Sequence, residues 1–385
     1  MTINLFDDAA WNSLRPLTFT RPVADLRVGI LTIAEKWSKR LKADAGYLTQ
    51  PYLSTKYPLQ DNCQYYVNGA LCPDDQLVQE ILNLKTGESL RSNNLLLAFK
   101  AGEDVSFNPD KSFSKEYKYP FVYIFFPEDL FRNNSEELKK DFTLLTDGRT
   151  SVQLSSTNTF LGDNIFAEAG AEAECSTFNS LNGPIYIGEN SQVWEGSHIR
   201  GSFALCPNSQ VKMGSKIYGQ TTIGPYCRVG GEINNAILWG YSSKGHEGYL
   251  GNSVIGQWCN IGADSNNSNL KNNYADVKLW SYDDQTFRNT QLQFCGLIMA
   301  DHSKCGINTM FNTGTVVGVS ANIFGGGFPR NFIADFSWGG AQGFEVYTLQ
   351  KMFETTEKVF DRRKIEFGET EKNILTHIFD TTTKK

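Results

Sequence analysis

The 385-residue chain holds four histidines, His198, His246, His302 and His377. An imidazole titrates near neutral pH, so it is the side chain best suited to take a proton from an amine. His198 precedes the apolar Ile199, His302 lies among regularly spaced apolar positions, and His377 falls in a helical stretch near the end. Each of these three has a packing role to fill. His246 has none. It lies in Trp239-Gly-Tyr-Ser-Ser-Lys-Gly-His-Glu-Gly248, between Gly245 and Gly248, where backbone and ligand can approach closely. Lys244 adds a basic group two places away. Set against chemistry is the reading of a solvated loop residue. Asn260 closes Ile255-Gly-Gln-Trp-Cys-Asn260, a place where asparagine also serves as a turn residue. Near the N-terminus, Arg15, Arg21, Asp25 and Arg27 carry the charges for a phosphate site, or for salt bridges on a surface.

The element that positions His246 is written in sixes. Ile187, Val193, Ile199, Leu205, Val211, Ile217, Ile223 and Val229 follow one another without a slip. Four places after each stand mostly small residues: Ser191, Ser197, Phe203, Ser209, Ser215, Thr221, Cys227 and Ile233. A helix repeats its apolar face every 3.6 residues and a strand every 2, so neither fits. A coil of three short faces, with one aliphatic side chain per face pointing inward, does fit. That is a parallel β-helix. The pattern begins loosely at Ile165 and is interrupted at Trp239–Gly248, which reads as a loop ejected from the coil. It resumes at Tyr249, Ile255 and Ile261, then meets a polar insertion over 264–293 whose role the sequence leaves open. It returns at Met299, Cys305, Phe311, Val317 and Ile323, and Gly325-Gly-Gly-Phe-Pro329 ends it.

Ahead of the coil, strand signals at Ile3–Phe6, Tyr65–Gly69, Asn94–Phe99 and Phe121–Phe126 alternate with helix signals at Ile30–Leu41 and Asp74–Leu84. That alternation predicts an α/β domain. Pro127–Thr146 reads as a charged connecting helix, and the polar stretch 147–164 as a linker. After the coil, Leu349, Met352, Phe353, Val359 and Phe360 form an amphipathic stripe, and a second short helix is expected over Glu371–Phe379. This tail is expected to pack on the last coil and blunt its open edge. The boundaries are then 1–146, 147–164, 165–330 and 331–385.

A net charge of −6 and a pI near 5.4 argue against binding nucleic acid through bulk charge. None of the eight cysteines forms a CxxC pair, which points to free, mostly buried thiols in a reducing compartment. The first residues have neither a basic nor an apolar leader region, and no apolar run approaches membrane-spanning length. A soluble, cytoplasmic protein with no membrane or nucleic-acid partner is expected. Metal ligands stay unassigned.

Lys244-Gly-His-Glu-Gly-Tyr-Leu-Gly251, Ile255-Gly-Gln-Trp-Cys-Asn-Ile-Gly-Ala263 and Asn273-Tyr-Ala-Asp-Val-Lys278 together resemble the acetyltransferase half of a bacterial bifunctional family. That family is glucosamine-1-phosphate N-acetyltransferase/N-acetylglucosamine-1-phosphate uridylyltransferase. The family runs G-H-x-x-Y-x-G, then N-I-G-A beginning eleven residues after the Tyr, then N-Y-D-G with a following Lys. Tyr249 and Asn260 keep that offset. Lys244 is one place closer to the histidine, the gap from Asn260 to Asn273 is longer, and Ala275 separates Tyr274 from Asp276. The resemblance implies a left-handed hexapeptide-repeat β-helix and a homotrimer with the site between subunits. It makes His246 the general base that deprotonates a sugar amine for attack on the thioester of acetyl-CoA. Lys244, Tyr249, Asn260 and Lys278 would hold the sugar phosphate, Asn273 and Tyr274 would lie at the junction with the thioester, and Ala263 would face acetyl-CoA.

Leu14-Arg-Pro-Leu-Thr-Phe-Thr-Arg-Pro22 resembles the L-x-P-L-T-x-x-x-P-K segment of sugar-phosphate nucleotidyltransferases. The resemblance implies uridylyl transfer with Mg²⁺ in a nucleotidyltransferase-like α/β domain, with Arg15, Arg21, Asp25 and Arg27 beside the nucleotide. Asp8-Ala-Ala-Trp-Asn-Ser13 stands where that family has a glycine-rich phosphate loop, Val23 where it has a lysine, and Ala70 where it has the metal-binding Asp. The activity expected is acetyl-CoA-dependent N-acetyl transfer to an amino-sugar phosphate, with uridylyl transfer to UDP-N-acetylglucosamine alongside it. The alternatives are a sugar-1-phosphate nucleotidyltransferase with a non-catalytic coil, an inactive scaffold, and a metal hydratase like the γ-class carbonic anhydrases. The last needs three histidines on one metal, for which His198, His246 and His302 lack the paired spacing.

Overall fold

Three faces of six residues make a rung of eighteen. The computed structural model, which describes residues 2–102 and 113–383, stacks Ile187 beside Leu205 and Ile223, and Val193 beside Val211 and Val229, eighteen residues apart. All pairings along these faces are parallel until the last strand. The six-spaced aliphatics from Ile187 to Val229 are buried and form one continuous cluster with Ile233, Ile255, Ile261, Met299, Cys305, Phe311, Val317 and Ile323. Small hydroxyl residues close the corners. Ser191, Ser197, Ser209 and Ser215 are buried, and their hydroxyls donate to rung carbonyls, as Ser209 does to Gly224 O at 2.7 Å. Each turn thus covers the apolar face of the one before, as in a repeat protein.

The coil is longer than its six-residue pattern. Thr159–Leu161 already pairs with Thr177–Asn179, so the expected linker contains a coil strand. At the other end Phe332–Ile333 and Ser337–Gly340 continue the ladders past residue 330, and Gly343–Val346 turns back antiparallel to cover the last edge.

Trp239–Gly248 is not an ejected loop. Glu232–Gly240 is one nine-residue strand, and Ser243–Lys244 pairs with Arg228–Val229 in the ladder. The rung is merely short, so that Leu238 lies beside Ile223 at fifteen residues instead of eighteen. The phase also slips by one afterwards: Leu250 takes the interior place expected of Tyr249. The insertion starts later than expected. Asn266–Asn267 still pairs with Met310–Phe311, and only then does the chain leave to form the antiparallel hairpin of Lys278–Ser281 and Thr286–Asn289.

Pro127–Thr146 is a helix, as its pattern predicts, but it groups with the coil and not with the domain before it. Its Asn134 side chain donates to Gln220 O at 2.8 Å and accepts from Gly29 N at 2.7 Å, and Asp141 accepts from Ile30 N at 2.8 Å. Gly29 has φ of +77°, and a Cβ there would meet Asp141 Oδ2 at 2.5 Å, so the close approach needs glycine. The segments Arg15–Phe19 and Arg27–Ile30 accordingly belong to the same compact unit as the coil. The tail forms helices Leu349–Asp361 and Glu369–Thr382. The first lies along the flank, with Phe360 stacked on Trp258 at 4.0 Å, while the second meets the last turn as expected, with the Phe379 and Phe336 rings 5.0 Å apart.

The other unit comprises residues 2–14, Thr20–Leu26 and Leu31–Phe126. Its six-stranded sheet is parallel at one side, where Thr2–Phe6 lies between Asp44–Leu48 and Tyr65–Asn68. Leu95–Lys100 is antiparallel to Tyr65–Asn68. Helix Ile33–Leu41 starts at a capping box, with Glu35 N donating to Thr32 Oγ1 and Thr32 N to Glu35 Oε2. Its Trp37 is fully buried. Of the expected strand Phe121–Phe126 only Val122–Tyr123 pairs, against Leu71–Cys72. All eight cysteines are free, and all but Cys175 are buried. Among the described residues no helix is long and apolar enough to cross a membrane.

Candidate functional site

Lys244 replaces an aliphatic residue at an inward position of the coil. It follows Ser243 as Val229 follows Arg228, and it is 1% exposed. Its ammonium donates to Gly230 O at 2.9 Å and to His246 O at 2.8 Å. Burial pushes its pKa down to about 8. Lys244 therefore ties down the backbone of the next corner and does not face solvent. At that corner His246 is exposed.

Tyr249 stands at the start of the next strand. Its N–H donates to Asn266 Oδ1 at 2.8 Å, and its hydroxyl accepts from Asn269 Nδ2 at 3.0 Å. Asn269 also donates to Asn252 Oδ1 at 2.7 Å. Burial pushes the Tyr249 phenol up. Asn260 points outward on the next face, in register with Ser243 on one side and Lys304 on the other. Ala263 is half-buried at the corner after Ile261, and its carbonyl accepts from Asn308 N at 2.8 Å. Asn273, Tyr274 and Lys278 are exposed on the insertion. Among the described residues, no hydrogen bond joins Lys278, Asn273 or Tyr274 to His246, Tyr249 or Asn260. The structure thus places Lys244, His246 and Tyr249 around one corner and strand start, Asn260 on the adjoining face, Asn273 and Tyr274 in the insertion ahead of the hairpin, and Lys278 at the hairpin's start.

In the other unit the central parallel strand, Thr2–Phe6, ends on carboxylates. Asp7 and Asp8 follow Thr2–Phe6 directly, at the carboxyl edge where open α/β sheets bind ligands. Asp7 accepts from Val23 N at 2.9 Å and from Thr49 Oγ1 at 2.5 Å, and burial pushes its pKa up to about 7. Asp8 accepts from Asn68 Nδ2 and from the Tyr123 hydroxyl, each at 2.7 Å. Ala70 is buried, with its N–H on Asn68 Oδ1 at 2.9 Å, and offers no metal ligand. Arg21 pairs with Asp25 at 3.0 Å, and Tyr57 donates to the same carboxylate at 3.1 Å. Arg15 and Arg27 belong to the coil unit. Arg15 lies 3.4 Å from Asp283, and a guanidinium nitrogen of Arg27 donates to Ile30 O. The four charges therefore divide between two units, and within them Arg21 and Asp25 already pair with each other. Sequence reasoning passed over Asp7 and Asp8, although two carboxylates ending a first strand are a readable signal. It also passed over Arg228, Lys304, Arg362 and Arg363, which are distant in sequence and converge only through the ladder and the tail helix.

Among the described residues, no three His, Cys, Asp or Glu side chains stand where they could hold one metal ion. His302 instead lies against the Phe360 ring, with centroids 6.1 Å apart. A three-histidine hydratase centre does not fit this donor set.

The sugar nucleotidyl transferase family matches residues 3–150. No curated protein matches the chain. Among solved structures, the Arabidopsis UDP-N-acetylglucosamine acyltransferase aligns at 14% identity and a TM-score of 0.25, covering 59% of this chain and 87% of its own. A hexapeptide transferase family protein from Anaplasma phagocytophilum aligns at 13% identity and a TM-score of 0.18, covering 59% of this chain and 91% of its own. The first 150 residues are thus similar to a sugar nucleotidyl transferase.

Proposed function

We propose that the chain is a sugar-phosphate transferase whose coil carries N-acetyl transfer from acetyl-CoA to an amino-sugar phosphate, with His246 as general base. The observation that supports this is the Lys244–His246 corner. A buried ammonium fixes the backbone carbonyl of the histidine, while the imidazole itself stays open to solvent. A base held in place before substrate arrives avoids an ordering cost at the reaction step. An amine attacks the thioester carbonyl only after losing its proton, and His246 accepts that proton. Tyr249 and Asn260 orient the sugar phosphate, and Lys244 acts as a positioning residue. Acetyl-CoA supplies the activated acyl group. Ala263 offers it a small side chain at the coil corner, and Asn273 and Tyr274 are the exposed groups on the insertion that would contact it. Two or more copies, in a homotrimer, complete the site.

The test is thiol release from acetyl-CoA with glucosamine-1-phosphate. General base catalysis contributes about 10² to 10⁴-fold, so His246→Ala lowers turnover by that order. The exposed histidine adds little to the core, so the variant melts with the wild type. Turnover unchanged in a folded variant would place the base elsewhere.

A second reading concerns residues 3–150, which match the sugar nucleotidyl transferase family. Asp7 and Asp8 at the carboxyl edge of the parallel strands are the residues that would meet a Mg²⁺-nucleotide. With Ala70 in place of a metal ligand we propose that uridylyl transfer is weak. Pyrophosphate release from UTP and N-acetylglucosamine-1-phosphate measures it, and rapid Mg²⁺-dependent release would show a rebuilt site.

A further inference from the structure

The outward column of the ten-stranded ladder changes character part-way along. It begins with Glu172, Gln192 and Gln210, where Gln192 donates to Glu172 at 3.0 Å and Gln210 donates to Gln192 at 2.8 Å. It then runs Arg228, Ser243, Asn260 and Lys304, each in register with the next. Arg228 and Lys304 are three ladder steps apart, or about 14 Å at the usual strand spacing. Helix Leu349–Asp361 lies over this stretch, anchored by Phe360 on Trp258, and Arg362 and Arg363 follow at its end. Between helix end and ladder is a cavity of about 420 Å³, lined by Arg228, Ser243, Asn260, Lys304, Arg362 and Arg363. Its wall is the stack of Tyr241 on Trp258, at 4.2 Å.

Four cations line this cavity and no carboxylate does. Among the described residues none of the four makes a salt bridge. Arg363 donates to Tyr226 O at 3.2 Å and Lys304 to His302 O at 2.9 Å, and those are carbonyls, not charges. The guanidiniums of Arg228 and Arg362 have no hydrogen-bond acceptor among the described residues. Like charges gathered beside a half-buried wall repel one another. The repulsion is visible in Arg363, whose pKa is lowered first by burial and then by Arg228. Burial likewise pushes Lys304 down to about 8. An anion would relieve both. Its shape follows from the column: cations at both ends, a hydroxyl and a carboxamide between them, and two guanidiniums overhead.

We propose that this cavity binds a pyrophosphoryl group carried by a small molecule. Two linked phosphoryl groups spread their charge along the column, where a single phosphate would reach only part of it. Ser243 and Asn260 donate between the charges, and the arginines grip the phosphoryl oxygens by paired N–H bonds. The site goes beyond the acetyl-transfer reading and stands without it, although Asn260 serves both.

The test is calorimetric titration of the full chain with inorganic pyrophosphate and, separately, orthophosphate. Pyrophosphate should bind at least about tenfold more tightly. The double variant Arg362→Gln/Arg363→Gln, and separately Lys304→Gln, should each weaken pyrophosphate by about tenfold or more. Arg362→Gln alone, at an exposed position, should melt with the wild type and still bind more weakly. His246→Ala lies outside the cavity and should bind as the wild type does, so failure of the acetyl-transfer reading leaves this result intact. Displacement of pyrophosphate by UDP identifies a nucleoside diphosphate as the source of the group. Displacement by coenzyme A identifies the acyl carrier. Displacement by neither, equal affinity for orthophosphate, or unchanged binding in the arginine and lysine variants overturns the proposal.

Discussion

Lys244 puts an ammonium where the coil elsewhere puts an aliphatic side chain, and this has a measurable consequence. An unfolded lysine titrates near 10.5, and burial lowers Lys244 to about 8. Between those values the unfolded chain binds more protons than the folded one, so this group makes stability rise with pH from 8 to 10.5. Below pH 8 the penalty is fully present, worth about 3 kcal/mol at 1.36 kcal/mol per unit. Lys244→Met removes the charge and keeps the length. Urea unfolding of both proteins should therefore show the wild type gaining on the variant as pH rises from 8 to 10. A constant difference would mean that the ammonium reaches water. The variant should also lose acetyl transfer while staying folded, because nothing then holds the His246 carbonyl. The sequence shows a lysine near a histidine but not its direction. That direction depends on a rung three residues short, which a strict count of six reads as a loop. The exposed place of His246 was legible because it answers to no apolar period. The cationic column was not, because register alone brings Arg228, Ser243, Asn260 and Lys304 together.

Period is what makes an element readable before folding. The six-residue spacing names nearly every interior position of the coil, since each inward side chain must be apolar to cover the previous rung. Helix Pro127–Thr146 and the capping box at Thr32 are equally local and equally legible. The ends of the coil are not. Thr159–Leu161 and Ser337–Gly340 pair as strands without six-spaced aliphatics, because backbone pairing to a neighbouring rung suffices there. The placement of the tail helix on the flank rests on long-range contacts, Phe360 on Trp258 and His302, and Arg363 on Tyr226 O, which no local pattern contains. The register itself is tested by Val211, which is fully buried between Val193 and Val229. Val211→Asp places an unpaired carboxylate in the core and should cost about 3–5 kcal/mol, read as a lower urea midpoint or an insoluble protein. A soluble variant with unchanged midpoint would refute the register.

At the scale of the whole molecule, one corner of the coil bears on assembly. Following the inward positions Val211, Val229, Lys244, Ile261 and Cys305, the corner residues two places on are Met213, Gly231, His246, Ala263 and Ile307. They recur at the same corner, as the bond from Asn308 N to Ala263 O and that from Asp264 N to Glu247 O show. Met213 is 59% exposed and Ile307 69%. Apolar side chains left open two rungs to either side of the proposed base, with only Gly231 and Ala263 between, suit a surface that a second copy covers, and burial of each would contribute about 1.5–3 kcal/mol. A trimer sealed along this corner would place His246 between subunits and bring the neighbour's residues to it. Light scattering should then give three times the 43.1 kDa chain mass. Ile307→Lys should move the population toward the single chain, and acetyl transfer should fall in proportion even though Ile307 touches no substrate. Activity should recover as protein concentration is raised, since association and not chemistry has been weakened. A wild-type protein that is fully active at 43.1 kDa would show that one chain completes the site.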